Sequence, residues 1–310
     1  MPLVTPRGHG ESAPMTSGRT DSLRLFRAFG IDVYVHWAWI FVAIYQISER
    51  ANAYSSVSWK VAEYLALFAI VLMHEFGHAL ATRQVGGTAD QILLWPLGGV
   101  AYVSPPPRPG AELWSIAAGP LVNVVLFFVF TPLLWLKGIP QDAETFLHNL
   151  WFINTALLVF NLLPVYPLDG GQILRSLLWF VLGRSRSMYV AAVIGFVGAA
   201  LLGFYALANP NIWLGIITFY LIANCRRGWE HAKVLTALER LPRRREFACP
   251  SCRANPPIGA LWRCHQCGTA FDTFETHAEC PNCHTTFPTT MCVDCRAAHP
   301  FAEWTSSLRG

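Results

Sequence analysis

The chain is 310 residues long, 53% hydrophobic and only 14% charged, with a formal net charge of +4. A mean hydropathy of +0.35 argues against an ordinary soluble domain and for a membrane protein with a soluble part, and the net charge is small. All nine cysteines fall at or after Cys225, and eight of them form four C-x-x-C pairs, which reads as metal binding in a reducing compartment rather than a disulfide framework.

Residues 1–22 begin with a Pro-, Gly-, Ser- and Thr-rich stretch that has no apolar core, so they read as a disordered tail, neither signal peptide nor spanning segment. Six spans follow when each is asked for about 17 to 25 largely apolar residues. The first runs from Ile31 to Ile47 and leads into a polar loop around Glu49 to Ser58. The second, Trp59 to Arg83, carries His74-Glu75-Phe76-Gly77-His78 inside an apolar run. After Gly86-Gly87, the residues Gln91 to Val103 predict two short strands about a Gly98-Gly99 turn, too short to span as a helix. Pro105 to Pro109 stiffens the entry to a third span, Glu112 to Leu136, which contains Gly119-Pro120-Leu121-Val122-Asn123. A fourth starts near Phe146 and breaks at Asn161 to Gly171, where two prolines and two glycines interrupt it at membrane depth. Lipid forbids such a break unless the loosened backbone is buried in protein or lines a cavity. Met188 to Ala208 and Ile212 to Asn224 complete the set.

The domain plan is therefore a tail (1–22), a membrane domain (23–227), a juxtamembrane helix or linker (228–246) and a cysteine-rich module (247–310). In fold class this is an all-α membrane protein, a six-span helical bundle with a β-hairpin insertion and a small C-terminal zinc-ribbon domain. Arg19, Arg24 and Arg27 before the first span and Arg226, Arg227 and Arg243 to Arg245 after the last place both termini on the cytoplasmic side. Arg50 and Lys60 count mildly against that orientation.

On a helix, the spacing of four residues stacks His74 and His78 on one face, so both imidazoles can reach one zinc while Glu75 addresses a water. Histidine pairs and a glutamate at membrane depth are costly unless they face the bundle interior and meet a partner. A catalytic zinc usually keeps three protein ligands, and Asp169 is the natural third, with an N-cap to the resuming helix as its bland alternative. At about 1.5 Å per residue, the two histidines, Asp169 and Asn123 all fall at similar depth toward the cytoplasmic face. Glu75 then serves as general base, and the product is a cleaved peptide bond.

From Ile31 to Asn224 the chain resembles the site-2 proteases, a family of intramembrane zinc metalloproteases. The resemblance rests on His74-Glu75-Phe76-Gly77-His78, on Gly119 to Asn123, and on Asn161 through Pro164 and Pro167 to Asp169-Gly170. It implies that His74, His78 and Asp169 are zinc ligands, that Glu75 is the base, and that Asn161 helps hold substrate or the oxyanion. It also implies cleavage of a transmembrane protein substrate within the lipid bilayer to release a cytoplasmic fragment. An edge strand between Ile92 and Val103 could capture the unwound substrate by strand addition, with a simple lid as the alternative. The rival function is a membrane scaffold that keeps the fold without turnover, against which the intact Glu75 argues. A bacterial or archaeal plasma membrane is the expected location.

In the module, Cys249/Cys252, Cys264/Cys267, Cys280/Cys283 and Cys292/Cys295 form four knuckles. Taken in order they give two Cys₄ zinc sites with 11 and 8 residues between knuckles; interleaved pairing satisfies the sequence as well. One catalytic and two structural zinc ions are thus expected. Between Cys225 and Gly310 there are 11 Lys plus Arg and 8 Asp plus Glu. Two Cys₄ zinc sites, each carrying −2, bring the total to about −1, so nucleic acid is not the expected partner. A protein-docking or regulatory role toward a cytoplasmic protein is preferred to structural ballast.

Overall fold

The computed structural model describes residues 22–49, 53–95, 98–209 and 212–306. The expected disordered tail, except for Ser22, lies outside the described residues. The chain forms two compact units, the larger spanning Met15–Pro105 and Pro109–Ala232 and the smaller built mainly of Lys233–Gly310.

The larger unit opens with strands where the sequence reading placed a span. Residues Ser22–Ala28 (β1) and Ile31–His36 (β2) pair antiparallel about a turn in which Phe29 and Gly30 both have positive φ. Only Trp39–Glu49 (α1) of the first expected span is helical. Ile31, Val33 and Val35 alternate with Asp32, Tyr34 and His36, the period-two pattern of a half-buried strand, and Ile31 and Val33 are fully buried. The expected hairpin, Thr88–Trp95 (β3) and Gly98–Ser104 (β4), is present as part of a four-stranded sheet ordered β1-β2-β3-β4, with β2 and β3 parallel. Gly98 and Gly99 do not form its turn: they pair in β4 with Trp95 and Leu94.

Among the described residues, four helices are long and apolar enough to cross a membrane: Val57–Gln84 (α2), Pro109–Leu133 (α3), Gln141–Leu162 (α4) and Arg184–Ala208 (α6). Six such spans were expected. The first is divided between β2 and the short helix α1, and the sixth became the start of a longer and more polar helix, Ile212–Glu239 (α7), which joins the expected juxtamembrane segment without a break. The expected interruption of the fourth span is present: α4 ends at Leu162 and Asp169–Leu182 (α5) follows a short irregular segment. Residue Asp169 is thereby the first residue of a helix.

Helix α2 packs chiefly on α3, and α3 also meets α4 and α5. Small residues set the closeness of the α2–α3 contact, since a Cβ on Gly77 would lie 2.6 Å from the Ala118 carbonyl oxygen. Glu63, 1% exposed on α2, is a carboxylate at membrane depth that would be costly alone. The Tyr54 hydroxyl donates to it, and so does the Asn149 amide at 2.9 Å, which ties α2 to α4 and to the residues preceding α2.

The smaller unit contains Trp262–Arg263 (β5) paired with Ala270–Phe271 (β6), Thr289–Met291 (β7) paired with Ala298–Pro300 (β8), and Phe301–Ser306 (α8). Its core is Trp262, Phe271, Phe274, Phe287 and Trp304 around the cysteine knuckles, with Leu238 and Leu241 packed against it.

Candidate metal centre

Helix α2 places His74 and His78 one turn apart on its buried side, and α5 brings Asp169 to them. Nε2 of His74 and Nε2 of His78 are 3.1 Å apart, and Asp169 Oδ2 lies 3.1 Å from the first and 3.4 Å from the second. Tetrahedral zinc with ligand bonds of about 2.0–2.1 Å separates neighbouring donors by about 3.3–3.4 Å. The spacing therefore suits one small divalent ion.

Protons on the rings can be assigned from their partners. Asn123 Nδ2 donates to Asn154 Oδ1 at 2.9 Å and Asn154 Nδ2 donates to the Asn123 carbonyl at 2.9 Å, so both amides are fixed in orientation. Asn123 Oδ1, 2.5 Å from His74 Nδ1, is then the acceptor and His74 Nδ1 carries the hydrogen. His78 Nδ1 lies 2.9 Å from the Ser115 carbonyl, which can only accept. In the neutral rings both Nε2 atoms then present lone pairs toward Asp169 Oδ2, a buried oxygen without a hydrogen-bond partner. Three electron-pair donors converging on one point, each ring oriented by an outer acceptor, is the donor set of a zinc site.

Gly119 of α3 supplies the clearance. A Cβ there would sit 2.3 Å from His78 Nε2 and 2.9 Å from His74 Nε2, inside the space where the donors converge. Glu75 is buried beside them, and its Oε2 accepts the Ala101 amide of β4 at 3.1 Å. Since β4 is an edge strand, this contact sets the free edge of the sheet against Glu75.

Among the residues singled out from sequence, the structure brings His74, His78 and Asp169 together and keeps Glu75 adjacent to the histidines. Asn161 is half-buried in the last turn of α4, before the break that leads to Asp169. Sequence reasoning assigned no role to Asn123 and passed over Asn154 and Ser115. Asn154 carried a usable signal, an amide within the apolar run of α4, because a polar side chain at that depth needs a partner. The Ser115 contribution is a main-chain carbonyl and leaves no trace in residue type.

The eight cysteines also converge, though not in chain order. Cys249, Cys252, Cys292 and Cys295 form one group and Cys264, Cys267, Cys280 and Cys283 the other. Sγ separations are 3.6 Å for Cys249–Cys295, 3.8 Å for Cys252–Cys292, 3.5 Å for Cys264–Cys283 and 3.6 Å for Cys267–Cys280. Zinc–sulfur bonds of about 2.3 Å require about 3.8 Å between sulfurs. In-order pairing gives way to a nested pairing because the core of Trp262, Phe274 and Trp304 draws the first and last knuckles together. Hydrogen bonding from Thr269 pulls the Cys267 thiol down to about 5, and the Cys292 thiol beside Cys295 lowers the latter to about 5. Hydrogen bonding from Thr285 lowers the Cys283 thiol as well, so each group holds at least one thiol biased toward the thiolate that binds metal.

The model of peptidase family M50 matches residues 62–141 and 137–205. A zinc metalloprotease of Methanocaldococcus jannaschii is 34% identical over 201 residues, covering 64% of this chain and 58% of that one. A Synechocystis sequence named provisionally as a zinc metalloprotease is 28% identical over 237 residues, covering 71% of this chain and 62% of the other. Among solved structures, the site-2 protease from Methanocaldococcus jannaschii is similar at 30% identity and a TM-score of 0.48, with 67% of this chain and 95% of that one covered. The chain spans 58% and 62% of the length of these two curated relatives.

Proposed function

We propose that this chain, which matches the model of peptidase family M50 over residues 62–205, is an intramembrane zinc endopeptidase of the site-2 protease kind. It cleaves transmembrane segments of membrane proteins near the cytoplasmic side. The observation that carries the reading is the approach of Asp169 Oδ2, across a broken span, to 3.1 and 3.4 Å from two imidazole nitrogens whose lone pairs face it.

His74, His78 and Asp169 would hold the zinc ion, which when bound supplies a Lewis acid for the scissile carbonyl and for the attacking water. Asn123 and the Ser115 carbonyl keep both Nδ1 atoms protonated, so neither ring can turn its N–H toward the donor site. Glu75 takes the proton of the attacking water as the new carbon–oxygen bond forms. It then passes that proton to the amine nitrogen as the carbon–nitrogen bond breaks. The Ala101 amide occupies one carboxylate oxygen and leaves the other for this transfer. Burial of the whole group among α2, α3 and α5 excludes bulk water and strengthens each electrostatic contact.

An intact helix shields its peptide bonds, so the substrate must be unwound before reaction, and the free edge of β4 beside Glu75 supports capture of the unwound segment by strand pairing. Asn161, at the end of α4, is proposed to donate its amide to substrate or to the developing oxyanion. The basic flanks support a topology with both termini in the cytoplasm of a prokaryotic plasma membrane. The nearly neutral cysteine-rich module, holding two structural zinc ions, is read as a docking surface for a cytoplasmic protein.

The deciding experiment reconstitutes the full chain in vesicles with a labelled single-span substrate and compares it with Glu75→Ala. Loss of at least about 10²-fold in cleavage is expected. Equal cleavage by both chains overturns the enzyme reading in favour of a non-proteolytic scaffold.

A further inference from the structure

Along α3, four buried positions fall on one stripe: Glu112, Ser115, Gly119 and Asn123, spaced by three, four and four residues. Three of them already touch the metal centre. The Ser115 carbonyl and the Asn123 amide orient the histidines of α2, and Gly119 gives the donors room. Glu112 touches none of them. Its carboxylate meets the guanidinium of Arg175 on α5, in a pair buried on both sides. Arg175 also lies over the ring of Trp179 at 5.9 Å, and Arg184 over the same ring at 5.4 Å.

Asp169, by contrast, is not oriented through Oδ2, which is buried and without a hydrogen-bond partner. Where that oxygen lies therefore depends on where α5 sits against α3. Arg175 is six residues along α5 from Asp169, about 9 Å of helix, and Glu112 is seven residues along α3 from Gly119, about 10.5 Å. The two rungs nearly match, so fixing Arg175 on Glu112 fixes Asp169 opposite Gly119 and the histidines. A slip of one helical turn, about 5.4 Å, would carry the carboxylate out of reach of both Nε2 atoms.

From this juxtaposition we propose that Arg175 and Glu112 are positioning residues that set the register of α5 on α3 and so bring Asp169 to the metal. A buried ion pair contributes little net stability compared with a packed apolar pair, and its best-attested use is to fix register. The inference rests on the reading of His74, His78 and Asp169 as a zinc site, yet it concerns metal retention rather than cleavage.

The test is therefore made on zinc and not on turnover. Full-length chains are challenged with a graded chelator and the zinc remaining per chain is measured, with His78→Ala as the baseline for metal held elsewhere. The double substitution Glu112→Leu, Arg175→Met replaces the pair with apolar groups of similar volume and should fold, as thermal unfolding will check. Its retention of the zinc above baseline should fall about 10- to 100-fold. The exchanged pair, Glu112→Arg with Arg175→Glu, should recover most of the loss. Should the apolar double fail to fold, Arg175→Lys is read in its place. Lysine keeps the charge but not the planar reach, and partial loss of retention is expected. Wild-type retention by the folded apolar double, or by Arg175→Lys where it is used, overturns the proposal. If wild type itself holds no zinc above baseline, the reading of the metal site fails and this inference with it. Absence of cleavage by a wild-type chain that holds its zinc counts against the enzyme reading alone, and the zinc retention of the double substitution still decides the positioning claim.

Discussion

Asn123 is 0% exposed and lies between His74 and Asn154. Replacing it with alanine removes the acceptor that holds the hydrogen on Nδ1, so the ring is free to adopt the other tautomer and offer an N–H to the metal position. Second-sphere partners of this kind are worth about 10- to 100-fold in metal affinity. Asn123→Ala should lose zinc to a chelator correspondingly more readily. Asn123→Asp, which keeps an acceptor toward Nδ1, should retain more zinc than alanine does. Equal retention by wild type and Asn123→Ala would show that packing alone orients the ring. The histidines and Glu75 were legible because one helix spaces them, and the H-E-x-x-H pattern is local. Asn123 and Asn154 lie 31 residues apart and meet through helix packing, so their partnership could not be read from either neighbourhood alone.

Among the elements, the sequence reading was accurate where a segment had to satisfy lipid along its whole length, and inaccurate at the ends of the bundle. Helices α2, α3 and α6 and the break between α4 and α5 were legible from apolar length and from prolines and glycines at depth. The first span was misread because Ile31 to His36 is apolar enough to extend a hydrophobic run, while its period-two alternation extends over only six residues. One of its two partners, β3, lies more than fifty residues away. Recognising β2 changes the meaning of β4, which becomes the edge of a four-stranded sheet rather than half of a lone hairpin. The Ala101 amide points to Glu75 from that edge. Ala101→Pro removes this donor, and proline is tolerated at edge positions. Cleavage of a single-span substrate should fall about tenfold or more while the zinc content stays at the wild-type level. Unchanged cleavage would argue that neither Glu75 nor the substrate uses this edge.

For the whole molecule, the number and grouping of metal ions can be tested together. Knuckle spacing announced Cys₄ sites, but the choice between pairings depended on the core around Trp262 and Trp304, which no local motif reveals. With nesting, Cys249 and Cys295 belong to the same group, whereas in-order pairing assigns them to different ones. Removing one ligand from a Cys₄ site weakens it severely, and removing a second from the same site has little left to take. Cys249→Ser, Cys295→Ser and the double substitution should therefore all lose the same single zinc ion per chain. The control pair, Cys249→Ser with Cys264→Ser, crosses the two groups and should lose two. Metal analysis of the purified full-length chains, with the His78→Ala chain fixing the contribution of the membrane site, distinguishes the arrangements. Loss of two ions from Cys249→Ser with Cys295→Ser would restore the in-order pairing. Because the outer site joins residues 46 positions apart and the inner one only 19, closing the outer loop removes more chain entropy. Loss of the outer ion should accordingly lower the thermal stability of the module more than loss of the inner, as melting of the single variants Cys295→Ser and Cys283→Ser would measure.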